Sequence, residues 1–137
     1  MTLVIDASIA VKWYFEQPGW QEARAIAAGD DDLIAPELIH AETGSAVWQY
    51  VRAGVISKDD ARTIMDRMLL RMDAFASLSG LADAALNLAL ALNHPIYDCF
   101  YLALAEQEKA PLVTADKRLT RAAAGRSGIE IRLLQAV

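Results

Sequence analysis

Four carboxylates are placed along this chain where phosphodiester hydrolysis would need them. Asp6 ends the apolar run Leu3-Val4-Ile5, and Asp116 ends the run Leu112-Val113-Thr114-Ala115. Glu42 and Asp98 fall in segments of helical character, on faces that otherwise look buried. Leu38, Ser45 and Ala46 share the face of Glu42, and Tyr101, Leu102 and Ala105 share that of Asp98. A carboxylate on such a face costs free energy unless a partner offsets its charge. No cation is spaced to do so, which points to a divalent metal as the partner. Carboxylate oxygens favour hard ions such as Mg²⁺ or Mn²⁺. One such ion, or two about 3.5–4 Å apart, can activate water and stabilise a leaving oxygen without a protein nucleophile.

Each acid also has a purely structural explanation. Asp6 and Asp116 could each cap the helix that follows a strand. Asp98 lies in the first turn after Pro95, where the helix dipole favours an anion. Glu42 could be a partly exposed helix residue. The functional reading gains its force from convergence, because one site would explain all four. Ser8 is close enough to Asp6 to support it. Lys117, Arg118 and Arg121 follow Asp116 as a solvated helix face or as contacts to substrate phosphates. His40 and His94 lack metal-ligand spacing, and His40 reads as a surface residue. Cys99 reads as a small core residue. Trp13 is close enough in sequence to Asp6 to line a cleft. There is no Ser-His-Asp arrangement and no Gly-rich phosphate loop.

The elements that must position these residues alternate between strand and helix. Strands are expected at Leu3–Ile5, Leu33–Ala35, Phe75–Leu78, Leu112–Ala115 and Ile129–Leu134. Helices are expected at Ile9–Phe15 (capped by Ser8), Trp20–Ala28, Pro36–Arg52, Ser57–Met72, Leu81–Leu92, Tyr97–Lys109 and Lys117–Ala124. This alternation predicts an α/β fold, a parallel central sheet flanked by helices on both faces. Ligands in such sheets bind beyond the carboxyl ends of the strands, where Asp6 and Asp116 both sit.

The 137 residues fit one domain, 1–137, with a real core. At 55% apolar and 23% charged residues the chain is globular. No signal peptide and no membrane span are expected. The single cysteine excludes an internal disulfide and fits a reducing compartment, so a cytoplasmic location is expected. A net charge of −5 argues against a broad basic footprint on nucleic acid, but not against an acidic, metal-holding nuclease site.

Four segments together resemble the PIN-domain family, and most closely its VapC-type toxins. They are Val4-Ile5-Asp6-Ala7-Ser8, the helix from Pro36 through Glu42, Tyr97-Asp98-Cys99-Phe100-Tyr101-Leu102-Ala103-Leu104-Ala105, and Leu112-Val113-Thr114-Ala115-Asp116-Lys117-Arg118-Leu119. The likeness covers nearly the whole chain in the right order. It implies a PIN-like three-layer fold and a Mg²⁺- or Mn²⁺-dependent endoribonuclease acting on RNA as the toxin of a toxin–antitoxin pair. It implies an acidic quartet at Asp6, Glu42, Asp98 and Asp116, with Ser8 and Thr114 as polar neighbours. It also implies a homodimer and a cognate antitoxin that blocks the site. One departure is Ser45, where many relatives carry Asn; Ser can donate to Glu42 over a shorter reach.

Rival readings differ in what they require. A haloacid-dehalogenase-like phosphatase wants a second acid two residues after Asp6, where Ser8 stands. A receiver-like domain wants an acid pair after the first strand and a lysine on a late strand. A catalytically inactive PIN-like binding module would not need the intact quartet. The helices Pro36–Arg52 and Ser57–Met72 carry more apolar surface than one small sheet obviously needs. Val47, Tyr50 and Val51 with Ile64, Met68 and Met72 predict a two-sided hairpin, one side on the sheet and the other facing a second copy or the antitoxin.

Overall fold

The computed structural model describes residues 1–134, so the last three positions of the expected 1–137 domain lie outside the described residues. Five strands form one parallel sheet: β1 (Thr2–Ile5), β2 (Asp32–Pro36), β3 (Ala74–Ala76), β4 (Leu112–Thr114) and β5 (Ile131–Leu133), in the order β3-β2-β1-β4-β5. Seven helices accompany them among the described residues: α1 (Ala7–Val11), α2 (Trp20–Ala28), α3 (Leu38–Arg52), α4 (Lys58–Leu70), α5 (Leu78–Leu92), α6 (Ile96–Glu108) and α7 (Lys117–Ala123). The expected α/β architecture with a parallel central sheet is therefore the observed one.

β1 is central, and the chain leaves it toward β2 on one side and returns to β4 on the other. That reversal of strand order falls between β1 and β4, and in open parallel sheets ligands bind at the carboxyl edge of such a point. Leu3, Val4 and Ile5 of β1 and Leu112 and Val113 of β4 are all buried, as strands covered on both faces must be. α6 packs against β1, β2 and β4, and α5 backs α6. Its run Tyr101-Leu102-Ala103-Leu104-Ala105 is buried on every side, and a helix that is apolar all round belongs in a core. α5 and α6 meet at 113° across their break, and no single helix among the described residues is long and apolar enough to cross a membrane.

Several boundaries differ from expectation. Asp6, in extended conformation, caps α1 in place of Ser8, and α1 stops at Val11 rather than Phe15. Pro36 ends β2, paired with Ala76, instead of opening the next helix. Leu78 starts α5 after the extended Ser77, three residues before the expected start. Gly80 in that first turn hides the start, since Gly lowers helix propensity by about 1 kcal/mol relative to Ala. β5 spans Ile131–Leu133 rather than 129–134.

The hairpin keeps an inner and an outer side, but Met68 and Met72 lie on the inner one: they are 0% and 7% exposed and belong to the core. Met72 lies beyond the end of α4. There Arg71 donates to the carbonyl oxygens of Ala27, Gly29 and Asp31, and Asp73 accepts from the Leu33 amide at 2.7 Å. Trp48 of α3 and Leu70 of α4 lie on the outside, at 56% and 83% exposed.

Candidate active site

Asp6 leaves the carboxyl end of β1, where the pairing of Ile5 with Val113 sets it beside β4. Its Oδ1 accepts from the Ser8 amide at 2.8 Å and its Oδ2 from the Thr114 hydroxyl at 2.7 Å. The Thr114 oxygen also accepts from the Asp116 amide at 3.0 Å, and the Ser8 hydroxyl accepts from the Ala115 amide at 3.2 Å. The two strand ends are thus stitched by short polar side chains around one buried carboxylate.

The helices bring the other acids. Glu42 on α3 is half-buried and its Oε1 accepts from the Tyr101 hydroxyl of α6 at 2.6 Å. Asp98, in the first turn of α6, has Oδ2 at 2.7 Å from Nε2 of His94. Asp116 caps α7, its Oδ1 accepting from the Arg118 and Leu119 amides at 2.8 and 3.2 Å. Its capping role is real, and it is tied to Asp6 through the shared Thr114 hydroxyl.

Electrostatics joins three of the acids. Burial pushes the Asp6 carboxyl above its ordinary value, against the Ser8 amide and the Thr114 hydroxyl, and the charge of Asp98 pushes it further up. Burial likewise raises Glu42, opposed by the Tyr101 hydroxyl and reinforced by Asp6 and Asp98. Asp6, Glu42 and Asp98 therefore face one another closely enough to repel. Burial, then the charge of Glu42, holds the Tyr101 hydroxyl firmly protonated, so it acts as a donor. Cys99 is pushed up to about 11, first by burial and then by Asp98; such a thiol is inert at neutral pH.

The donor set suits a hard divalent cation: carboxylates that repel, with Oε2 of Glu42, Oδ1 of Asp98 and Oδ2 of Asp116 making no hydrogen bond among the described residues. Among those residues no three His, Cys, Asp or Glu side chains form a ready-made metal cluster.

A family model described as the PIN domain matches residues 3–125. The chain belongs to the PIN domain family. Over 126 residues this PIN domain is 29% identical to Ribonuclease VapC3 of Pyrobaculum aerophilum, covering 87% of this chain and 92% of that one. It is 34% identical over 103 residues to Ribonuclease VapC1 of Mycobacterium tuberculosis, covering 74% of each. Among solved structures it is similar to VapBC2 of Rickettsia felis bound to a promoter DNA fragment, with TM-score 0.72, 15% identity, and 98% and 100% of the two chains covered. It is also similar to VapBC-5 of Mycobacterium tuberculosis, with TM-score 0.63, 18% identity, and 96% and 98% covered. At those identities the structural likeness speaks for the fold.

Other expectations for this PIN domain resolve individually. Ser45 is exposed, and the hydrogen bond to Glu42 comes from Tyr101 instead. Trp13 is a packing residue whose indole donates to the Ala23 carbonyl at 3.0 Å, so it lines no cleft at the acids. His40 is exposed and lies against the Phe75 ring. Lys117, Arg118 and Arg121 are exposed on α7. Sequence reasoning missed three side chains. Tyr101 was visible only as part of an apolar stripe, although a buried Tyr hydroxyl needs a partner. His94 stands four residues before Asp98, but Pro95 interrupts the helix between them. Lys12 carries no local signal. Tyr101→Phe should lower the activity of this site by roughly ten- to a hundredfold, because a charge-assisted hydrogen bond contributes about 1.5–3 kcal/mol. Steady-state cleavage rates check this, and an unchanged rate would make the contact to Glu42 merely structural.

Proposed function

We propose that this chain is the toxin component of a type II toxin–antitoxin pair, a metal-dependent endoribonuclease that hydrolyses RNA phosphodiester bonds. The observation that carries the reading is the mutual repulsion of Asp6, Glu42 and Asp98 at the carboxyl edge, beside Asp116, in a PIN domain. The ribonuclease names of its relatives and the toxin–antitoxin complexes among its structural neighbours support it. Asp6, Glu42, Asp98 and Asp116 would hold Mg²⁺ or Mn²⁺. A divalent ion there supplies Lewis acidity toward phosphate oxygens and lowers the pKa of water.

The chain's own residues do the rest. Ser8 and Thr114 fix the Asp6 carboxylate, and Tyr101 fixes Glu42. His94 orients Asp98. Lys117, Arg118 and Arg121 stand on α7 where they can meet backbone phosphates. A phosphoenzyme route through Asp6 lacks its general acid, since Ser8 stands two residues on where that chemistry wants a second carboxylic acid. A cognate antitoxin is the expected protein partner, with a basic side chain placed against the acids. The groove between α3 and α4, lined by Gly44, Val47, Trp48, Val51, Ala61 and Met65, is a surface suited to such a partner or to a second copy of the chain.

The test is calorimetric titration of Mg²⁺ and of Mn²⁺ into wild type and Glu42→Gln, run beside cleavage of a labelled RNA. The variant should bind metal at least about tenfold more weakly, as losses around metal sites commonly run 10–100-fold. Equal metal binding by both proteins would remove Glu42 from the site, and a metal-loaded wild type that leaves RNA intact would end the nuclease reading.

A further inference from the structure

Lys12 is a buried lysine that makes no ion pair with any of the four acids. It follows α1 and is 7% exposed. Its ammonium donates to Oε1 of Gln17 at 3.2 Å, and among the described residues it makes no salt bridge. An ammonium carries three donors, so two remain. Gln17 is itself held, because its Nε2 donates to the Tyr50 hydroxyl at 2.8 Å. The Tyr50 ring in turn stacks on Phe15 with centroids 3.8 Å apart. α3 therefore fixes the amide, and the amide fixes the ammonium, with no carboxylate in between.

Lys12 lines a cleft of about 350 Å³ whose walls include Gln17, Pro18, Ala115, Lys117 and Leu133. Among the described residues no acid lines this cleft, and two lysines do. Ala115, which joins the cleft to the active edge, donates to Ser8 and directly precedes Asp116. Asp6 is close enough for its charge to favour the protonated lysine, against the effect of burial. Burying a cation costs free energy unless its charge is offset; Asp6 offsets this cost only in part, and an anion in the cleft would offset more. An anion between Lys12 and Lys117 would answer both residues.

We infer that Lys12 and Lys117 form a phosphate subsite that takes a backbone phosphate of the RNA, neighbouring the one held at the acidic edge. The inference rests on the ribonuclease reading for the identity of its ligand, but the subsite is testable without metal. The probe is a labelled single-stranded RNA 12-mer, its binding followed by anisotropy in EDTA over a series of salt concentrations. Lys12→Met and Lys117→Met should each weaken binding severalfold at low salt. Each should also flatten the dependence of log affinity on log salt by about 0.7, the share of one single-strand phosphate contact. Lys12→Arg, which keeps the charge, should retain the slope. A merely structural Lys12 would alter melting temperature and leave the slope alone. Unchanged slopes in either methionine variant, or no RNA binding by wild type in EDTA, would overturn the subsite. Should Lys12→Met fail to fold, the exposed Lys117→Met decides alone. Cleavage by metal-loaded wild type with unchanged slopes would sink only the subsite; binding with altered slopes but no cleavage would sink only the nuclease reading.

Discussion

Asp6→Asn should abolish RNA cleavage, by about a thousandfold or more, while the metal-free protein melts no lower than wild type. The loss follows if Asp6 anchors a divalent ion, whose charge stabilisation amounts to several kcal/mol in the transition state. The preserved stability follows from electrostatics. Burial, reinforced by Asp98, raises the Asp6 carboxyl above its ordinary 3.8 in the folded chain. An acid raised in this way binds its proton more tightly folded than unfolded, so ionisation works against the fold. The contribution is most favourable below the unfolded value and is lost as pH rises through the folded one. Metal-free wild type should therefore lose stability across that window, and Asp6→Asn should lose less. Asn can still accept from the Ser8 amide through Oδ1, but it gives up the bond from Thr114, which offsets part of the gain. Thermal melts in EDTA across pH, beside cleavage assays with metal, read both effects. A steep fall in melting temperature for the variant would show that Asp6 is there to hold β1 to β4.

Met68→Ala should destabilise the fold by about 2–5 kcal/mol, the usual cost of truncating a large core side chain, and lower Tm by roughly 7–17 °C for a chain of this length. Met68→Glu should prevent folding, because it buries a charge with no partner. Trp48→Glu, one helix away and more than half exposed, should leave the melt within about 0.5 kcal/mol of wild type, as surface changes usually do. The pair separates the inner from the outer side of the α3–α4 layer: denaturation reads the first, and sedimentation, alone and with the antitoxin proposed above, reads the second. A folded Met68→Glu protein would return Met68 to the surface and reopen it as an interface residue.

What the sequence determined by itself was the alternation of strand and helix and the points at which β1 and β4 end. Continuous apolar runs closed by a polar residue are a local signal, because a parallel strand buried on both faces tolerates nothing polar until it leaves the sheet. The positions of Asp6 and Asp116 were therefore legible, and so was the unusual burial around Asp98. Helix boundaries at Pro36, Ser77 and Val11 were not legible; the pairing of Pro36 with Ala76, for one, depends on a neighbour distant in sequence. The side of α4 that faces inward was hidden too. A stripe of Ala61, Ile64, Met65, Met68, Leu69 and Met72 has helical period but no sign of which residues will be covered, and packing of α4 on α3 decided it. Tertiary structure alone gave Glu42 its Tyr101, Asp98 its His94 and Lys12 its Gln17. Each partnership joins side chains whose closeness is set by packing across a turn or between helices, and periodicity carries no information about that.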